Sequence, residues 1–225
     1  MKVIKIGGRA QTDSRLAHAL ASLWRASPSN LVVVHGGGDE VSALQRAAGV
    51  EPRFINGRRV TASEDIDRLR MALSGLANKR LVAALVAAGA DALGLSGEDA
   101  ALLSAVVADD GALGAVGTVR AVRVTVLRHL LAGGYLPVVS PLASALNVNG
   151  DDAAAAIAVA LGAEELLFVS DVPGVLPGAV TGGMHAKLSA AQSAAEGGVG
   201  RVRIGDLTML ANEDAGTTVV PGVLA

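Results

Sequence analysis

Short apolar runs that end in glycine clusters constrain this chain more than any other feature. LVVVH (residues 31–35) leads straight into Gly36, Gly37 and Gly38. A run apolar at every position cannot keep one face in water, so it reads as a parallel strand covered by helices on both sides. Residues 3–6 end in the same way at Gly7-Gly8, and LPVVS (136–140) and LLFVS (166–170) are two further buried strands. Helical spacing fills the gaps. Leu16, Leu20, Leu23 and Trp24 share a face that Pro28 stops, and residues 39–48, 127–131, 151–161 and 186–195 also read as helices. Ser63 is expected to cap a long helix with Ile66, Leu69, Leu73 and Leu76 on one face, a bend near Gly75 and a stop at Gly89. Strand signals recur at 92–96, 102–108, 116–124, 201–204 and 217–220. Asn56-Gly57 tolerates the positive φ of a tight hairpin turn within residues 53–61. Strand–helix alternation of this kind predicts an α/β fold with a mainly parallel sheet.

Composition narrows the function. Apolar residues make up 51% of the 225 and charged ones 18%, so the chain can bury a core and is not expected to be disordered. Aromatics are only 2%, so Ala, Val and Leu must fill that core. A net charge of −2 offers no basic excess for a phosphate backbone, which argues against a nucleic-acid partner. The absence of cysteine removes disulfides, thiol catalysis and zinc–thiolate sites together. The most apolar stretches, 81–95 and 153–163, are broken or short against the ~20 residues of a membrane span, so no membrane partner is expected. Only six residues precede Gly7, which leaves no apolar leader region, and a cytoplasmic location is the expectation.

Several clusters could carry chemistry. Lys5 precedes Gly7-Gly8, where bare backbone and free helix N–H groups suit a phosphate. His35 leads into three glycines at a strand's carboxyl end, where α/β folds place ligands; the histidine itself reads as packed or capping. Asn147, Asn149, Asp151 and Asp152 exceed what one helix cap needs. Asp171 to Val175 follows another buried strand, and Gly182-Gly183 precedes a helix expected to carry Lys187 in its first turn. A cation there is unfavourable unless an anion joins it. Arg58 and Arg59 flank the hairpin turn, and arginine suits carboxylate recognition. Neither a Walker A loop nor G-x-G-x-x-G is present, so phosphoryl transfer without a P-loop is the reading these residues support.

KIGG (5–8), VHGGG (34–38), NGRRVT (56–61), NVNGD (147–151), SDVPGV (170–175) and GGMHAK (182–187) occur in this order. Together they resemble the amino-acid kinase family, and the similarity covers nearly the whole chain. The resemblance implies a three-layer αβα sandwich. Residues 1–163 would form a lobe for acyl amino acid binding and dimerisation, and residues 164–225 a shortened nucleotide lobe. It implies phosphorylation of the γ-carboxylate of N-acetyl-L-glutamate by ATP in arginine biosynthesis. Lys5 and Lys187 would neutralise the transferring phosphoryl group and Asp151 would organise both lysines. Gly8 and the Gly36-Gly37 amides would donate to phosphoryl and substrate oxygens, and Arg59 and Asn147 would hold the amino acid. Asp171, Val172, Gly174, Val175 and Leu176 would line the nucleotide site. Mg2+ would arrive with ATP, held mainly by its phosphates. A homodimer is implied, and the first strand's start at residue 2 or 3 implies insensitivity to arginine.

Only residues 176–181 separate SDVPGV from GGMHAK, shorter than the family pattern, which trims the nucleotide site on one side. Two alternatives follow. An acetyl- or carrier-linked aminoadipate would differ by one methylene, worth only ~1–3 kcal/mol of discrimination. A non-catalytic amino-acid or nucleotide sensor would have no need of Lys5, Asp151 and Lys187 together.

Overall fold

A computed structural model describes residues 1–175 and 182–222. The elements run β1 (Lys2–Ile6), α1 (Leu16–Ala26), β2 (Leu31–His35), α2 (Gly38–Ala47), β3 (Phe54–Ile55), β4 (Arg58–Arg59), α3 (Ile66–Leu69), α4 (Asn78–Ala87) and β5 (Ala92–Ser96). They continue with β6 (Leu103–Val107), β7 (Val116–Val122), α5 (Val124–Ala132), β8 (Leu136–Ser140), β9 (Leu142–Ala143), β10 (Leu146–Val148) and α6 (Gly150–Leu161). The last are β11 (Glu165–Val169), α7 (Gly182–Glu196), β12 (Arg201–Gly205) and β13 (Thr217–Val219).

The main sheet has seven strands in the order β13-β12-β11-β1-β2-β8-β5. All neighbours are parallel except β12 and β13. Every residue of β2, β8 and β11 is buried, as their unbroken apolar runs predict. Because six strands point the same way, Gly7-Gly8, the Gly36–Gly38 turn and Ser170-Asp171 all emerge at one edge. Lys5 pairs in register with Val34 and Phe168, which places it near that edge on the central strand.

Alanine lets the layers close. Ala153, Ala154 and Ala158 of α6 and Ala190, Ala191 and Ala194 of α7 are buried where the two helices pack on each other and on the sheet. Axis separation depends on the side chains between, so small residues bring α6 close to β1. No helix among the described residues is long and apolar enough to cross a membrane.

Several local expectations change. A second sheet, β6-β7-β10-β9, contains two strands that the sequence pattern did not show. Both β9 and β10 are short, and β10 holds Asn147 against Val116 of β7. Ser63 does not cap the long helix. Residues Ser63–Asp65 form a 3-10 turn behind Ala62, without a side-chain capping bond. The bend expected near Gly75 is a π-helical stretch, Arg70–Ala77, running between α3 and α4. Such a stretch widens the helix locally and is common near functional sites. Gly7-Gly8 opens a single 3-10 turn, Arg9–Thr12, ahead of α1. The hairpin turn is as expected, with φ of 48° at Asn56 and 76° at Gly57.

Candidate active site

Three buried side chains meet at the carboxyl edge of the sheet. Lys5 comes from β1, Asp151 from the first turn of α6 and Lys187 from α7. Asp151 Oδ1 lies 2.7 Å from Lys5 Nζ and 2.9 Å from Lys187 Nζ, so both ammonium groups sit on one oxygen atom. Exposure is 7% for each lysine and 6% for the aspartate, too little for water to screen them well. Lys187 Nζ also lies 5.4 Å from the Phe168 ring centroid, within cation–π range.

Local structure explains the meeting. Asn149 caps α6, its side-chain oxygen accepting the N–H of Asp151 at 2.7 Å and of Asp152 at 3.3 Å. A Cβ on Gly150 would lie 3.3 Å from Lys5 Cε, so bare backbone lets the lysine stem pass against the helix start. The helix carrying Lys187 begins at Gly182, earlier than expected, which moves Lys187 from the first turn to the second. Asp151 and burial, rather than the helix dipole, therefore govern its charge.

Two lysines against one carboxylate leave a buried net charge of one unit. Burial opposes ionisation of Asp151, but the two ammonium groups outweigh it and hold the carboxyl at about 2. Burial, reinforced by the neighbouring Lys5 charge, lowers Lys187 to about 8 in spite of Asp151. The site is thus poised for an anion.

Glycine turns supply donors beside these charges. The ladder runs one residue past the strands, with Gly7 N–H donating to Val169 O at 2.8 Å and Gly36 N–H to Ile6 O at 2.9 Å. Gly36 is therefore a wall of the site and offers no free donor, unlike the expectation. Among the described residues, the N–H groups of Gly8, Gly37 and Gly38 have no protein acceptor. A Cβ on Gly36 would lie 3.3 Å from Gly8 N, so a side chain there would press on the neighbouring turn.

A cleft adjoins the charges, and Gly36, Gly37, Arg59 and Asn147 all line it. Val41, Leu69 and Leu73 add an apolar face and Phe54 of the hairpin a rim. Arg59 Nη2 donates to Gly38 O and Ser42 Oγ, each at 2.7 Å, and Nη1 donates to Gln45 Oε1. These bonds fix the guanidinium and leave its Nε–H and one Nη1–H without a protein acceptor among the described residues. Asn147 Nδ2 donates to Thr61 Oγ1 at 2.9 Å. Sequence reasoning missed Ser42, Gln45 and Asp65, which brace Arg59 directly or through Gln45 Nε2 donating to Asp65 Oδ2 at 2.9 Å. The available signal was helical spacing: Gly38, Ser42 and Gln45 fall on one face of α2.

Asn78 was also missed. Its Nδ2 donates to Val138 O at 2.9 Å and to His35 Nε2 at 3.0 Å, while His35 Nδ1–H donates to Gly36 O at 2.6 Å. Both bonds suit a neutral imidazole, and burial lowers His35 to about 4. The histidine is packed, as expected, and positions the glycine turn. Because an unfolded histidine binds its proton near 6.5, folding stability should fall as pH drops from about 6.5 to about 4, by about 3 kcal/mol at most. Urea titrations across this range should show the slope, and His35→Asn should flatten it; an unchanged slope would remove His35 as its source.

The expected nucleotide residues are less closely gathered. Gly8 faces the other glycine turn, where a Cβ on it would lie 3.8 Å from Gly38 N and 3.9 Å from Gly37 N. Asp171 pairs with Arg9 at 3.2 Å on the rim of a second cleft, lined also by Ser170, Asp206 and Thr208. Gly174 and Val175 are pinned to the start of β13, where Val175 N–H donates to Thr217 Oγ1 at 3.0 Å. Val172 stays near Ser170, its N–H donating to Ser170 Oγ at 3.4 Å. Leu176 lies outside the described residues. Among the described residues no three His, Cys, Asp or Glu side chains group to hold a metal ion.

The sequence profile of the amino acid kinase family matches residues 1–178. The chain belongs to the amino acid kinase family. An acetylglutamate kinase of Roseiflexus sp. (strain RS-1) is 42% identical over 243 aligned residues, covering 97% of this chain and 92% of the relative. An acetylglutamate kinase of Methanopyrus kandleri is 41% identical, covering 97% of this chain and all of the relative. Among solved structures, smu.665 from Streptococcus mutans UA159 superposes with a TM-score of 0.86 at 31% identity, covering 97% of this chain and 98% of the other. Within this family fold, the three-layer arrangement and mainly parallel sheet are as the motifs implied.

Proposed function

We propose that the protein transfers the γ-phosphoryl group of Mg-ATP to the side-chain carboxylate of N-acetyl-L-glutamate, giving N-acetyl-L-glutamyl 5-phosphate and ADP, a step of arginine biosynthesis. The observation that carries this reading is the grip of one buried carboxylate on two buried lysines, beside free glycine N–H donors. The relatives' identity over nearly their whole length supports the choice of acceptor.

The chemistry asks for charge and position. A carboxylate oxygen attacks the γ-phosphorus in line, and the bond from the γ-phosphorus to the bridging oxygen breaks, with its electron pair leaving on ADP. The attacking carboxylate is already ionised at neutral pH, so no general base is required. That suits a site whose central carboxylate, Asp151, is locked between lysines and whose histidine is neutral. Two anions must approach each other, and the excess positive charge of Lys5 and Lys187 lowers that repulsion most where charge develops. The Gly8, Gly37 and Gly38 N–H groups, which have no protein acceptor among the described residues, would donate to the phosphoryl and acceptor oxygens. Arg59 and Asn147 would hold the α-carboxylate and acetamido groups, with Val41, Leu69 and Leu73 against the methylenes.

Magnesium belongs to the nucleotide substrate on this reading and is held through its phosphates, in keeping with an ion that keeps its waters. Residues 1–163 would bind the acyl amino acid and residues 164–225 the nucleotide. A homodimer is proposed from the exposed Met71 and Leu76 on the helix that packs along the edge strand β5. A cytoplasmic location, where ATP is supplied, is part of the proposal.

Hydroxylamine trapping of acyl phosphate, with N-acetyl-L-glutamate, N-acetyl-L-aminoadipate and free L-glutamate offered separately, tests the proposal. Hydroxamate mainly from N-acetyl-L-glutamate is expected. Preference for the aminoadipate analogue, or no product from folded protein, would overturn it.

A further inference from the structure

The β3–β4 hairpin touches both helices that carry the central charges. Arg58 Nη2 lies 2.8 Å from Asp152 Oδ2 in the first turn of α6. One residue earlier, a Cβ on Gly57 would come 2.7 Å from the carbonyl group of Gly182, the first residue of α7. The same hairpin supplies Phe54 and Arg59 to the cleft. Asp152 follows Asp151 directly, and Asn149 holds the N–H groups of both.

A two-stranded ribbon is marginal on its own, so its position depends on such anchors. The Arg58 and Asp152 side chains are 27% and 25% exposed, and the pair is screened less than a surface one. Burial pushes the Asp152 carboxyl up, and the Arg58 guanidinium pulls against it, so loss of Arg58 leaves a poorly solvated acid beside Asp151. Arg58 also stands between the acyl-amino-acid cleft and a groove bounded by β7, α6 and α7.

We infer that Arg58 is a positioning residue, whose ion pair with Asp152 couples the hairpin over the cleft to the helix starts that place Asp151 and Lys187. This inference rests on the kinase reading. Substrate that settles the hairpin then also settles the charges that meet the phosphoryl group.

A double-mutant cycle tests it, with Arg58→Leu, Asp152→Asn and the double variant, each checked by thermal melting. Arg58→Leu should lower kcat for hydroxamate formation about tenfold, since small misplacements of reacting groups cost rates of this order. KM for Mg-ATP should stay within about twofold, because neither Arg58 nor Asp152 lines the cleft at Asp171, where the nucleotide residues are expected. The double variant should be no worse than Arg58→Leu, because partners acting as a unit do not lose their effect twice. Arg58→Lys should recover part of the rate and carries the test if the leucine variant fails to fold. Hydrogen exchange gives a readout free of turnover: N-acetyl-L-glutamate should slow exchange at residues 150–152 and 182–187 in the wild type, but only at the hairpin in Arg58→Leu. Single effects that multiply, a change confined to KM for the amino acid, or wild-type protection that never reaches the helix starts would each overturn the inference. Wild-type protein that makes no hydroxamate would instead count against the kinase reading, and the exchange pattern would still decide the coupling.

Discussion

Lys187→Met should lower kcat for hydroxamate formation by about 10²–10³-fold, the range seen when one donor to a developing charge is removed. The expectation follows from the charge balance of the site. With Lys187 present, the buried group of two lysines and Asp151 carries one excess positive unit; with methionine, Lys5 and Asp151 become a neutral pair. That pair remains compensated, so the fold should stand. Burial already disfavours the charged form of Lys187, as its lowering to about 8 records, and a methionine of similar length removes that cost. Melting temperature should therefore be unchanged or raised while turnover collapses. The pH profile gives a second check. Lys187 must be protonated to act, so wild-type kcat/KM should decline as pH climbs through about 8, and this limb should be missing in the variant. A variant that keeps its rate, or one that keeps the limb, would remove Lys187 from the phosphoryl site.

The parts of this site that could be read in advance are those that local backbone chemistry dictates. Gly36–Gly38 follow a continuous apolar run and Gly7-Gly8 a short one broken only by Lys5, and runs of that kind read as parallel strands ending at a common edge. Asn149 caps because an amide before an apolar helix does so, and Asn56-Gly57 turns because both tolerate positive φ. What could not be read are contacts between residues far apart in the chain that no local period records. Lys5 and Asp151 are 146 positions apart, and nothing in either neighbourhood measures their 2.7 Å separation. The motif order placed them together only by resemblance. Arg58 falls within NGRRVT and Asp152 just beyond NVNGD, but neither motif pairs them: the arginine suits carboxylate recognition in general, and the aspartate is one acid of a cluster larger than a cap needs. Asn78 stood in helical register with Leu81 and Leu85, a polar residue on an apolar face, yet its partners His35 and Val138 come from two other strands. The short β10 owes its form to pairing with β7, and β9 to pairing with β10, rather than to propensity, which is why no strand signal surrounds Asn147. The helix start at Gly182 was hidden because two glycines carry no helical preference; packing of the alanines beyond them sets it.

Asp151→Asn should be the most damaging single change, because it affects both stability and turnover. Removing one partner of a buried ion pair typically costs about 3–5 kcal/mol, since the other partner stays buried and uncompensated. Here two ammonium groups would be left facing one another with no counter-charge. Lys187 is already lowered to about 8 with Asp151 in place, and without the carboxylate it should lose its proton at still lower pH. The alkaline limb of the rate profile should then move down towards neutrality, and kcat at pH 7 should fall by at least the factor expected for Lys187→Met. Stability should change its pH dependence as well. In the wild type the Asp151 carboxyl is held at about 2 against 3.8 in the unfolded chain, a contribution of about 2 kcal/mol present above 3.8 and lost as pH falls through about 2. The asparagine variant should lack that acid step. Anions give the decisive control: Mg-ATP should raise the melting temperature of Asp151→Asn more than that of the wild type, because the bound phosphates supply the missing negative charge. Equal melting temperatures without ligand, together with an unshifted alkaline limb, would show that Asp151 does not organise the two lysines.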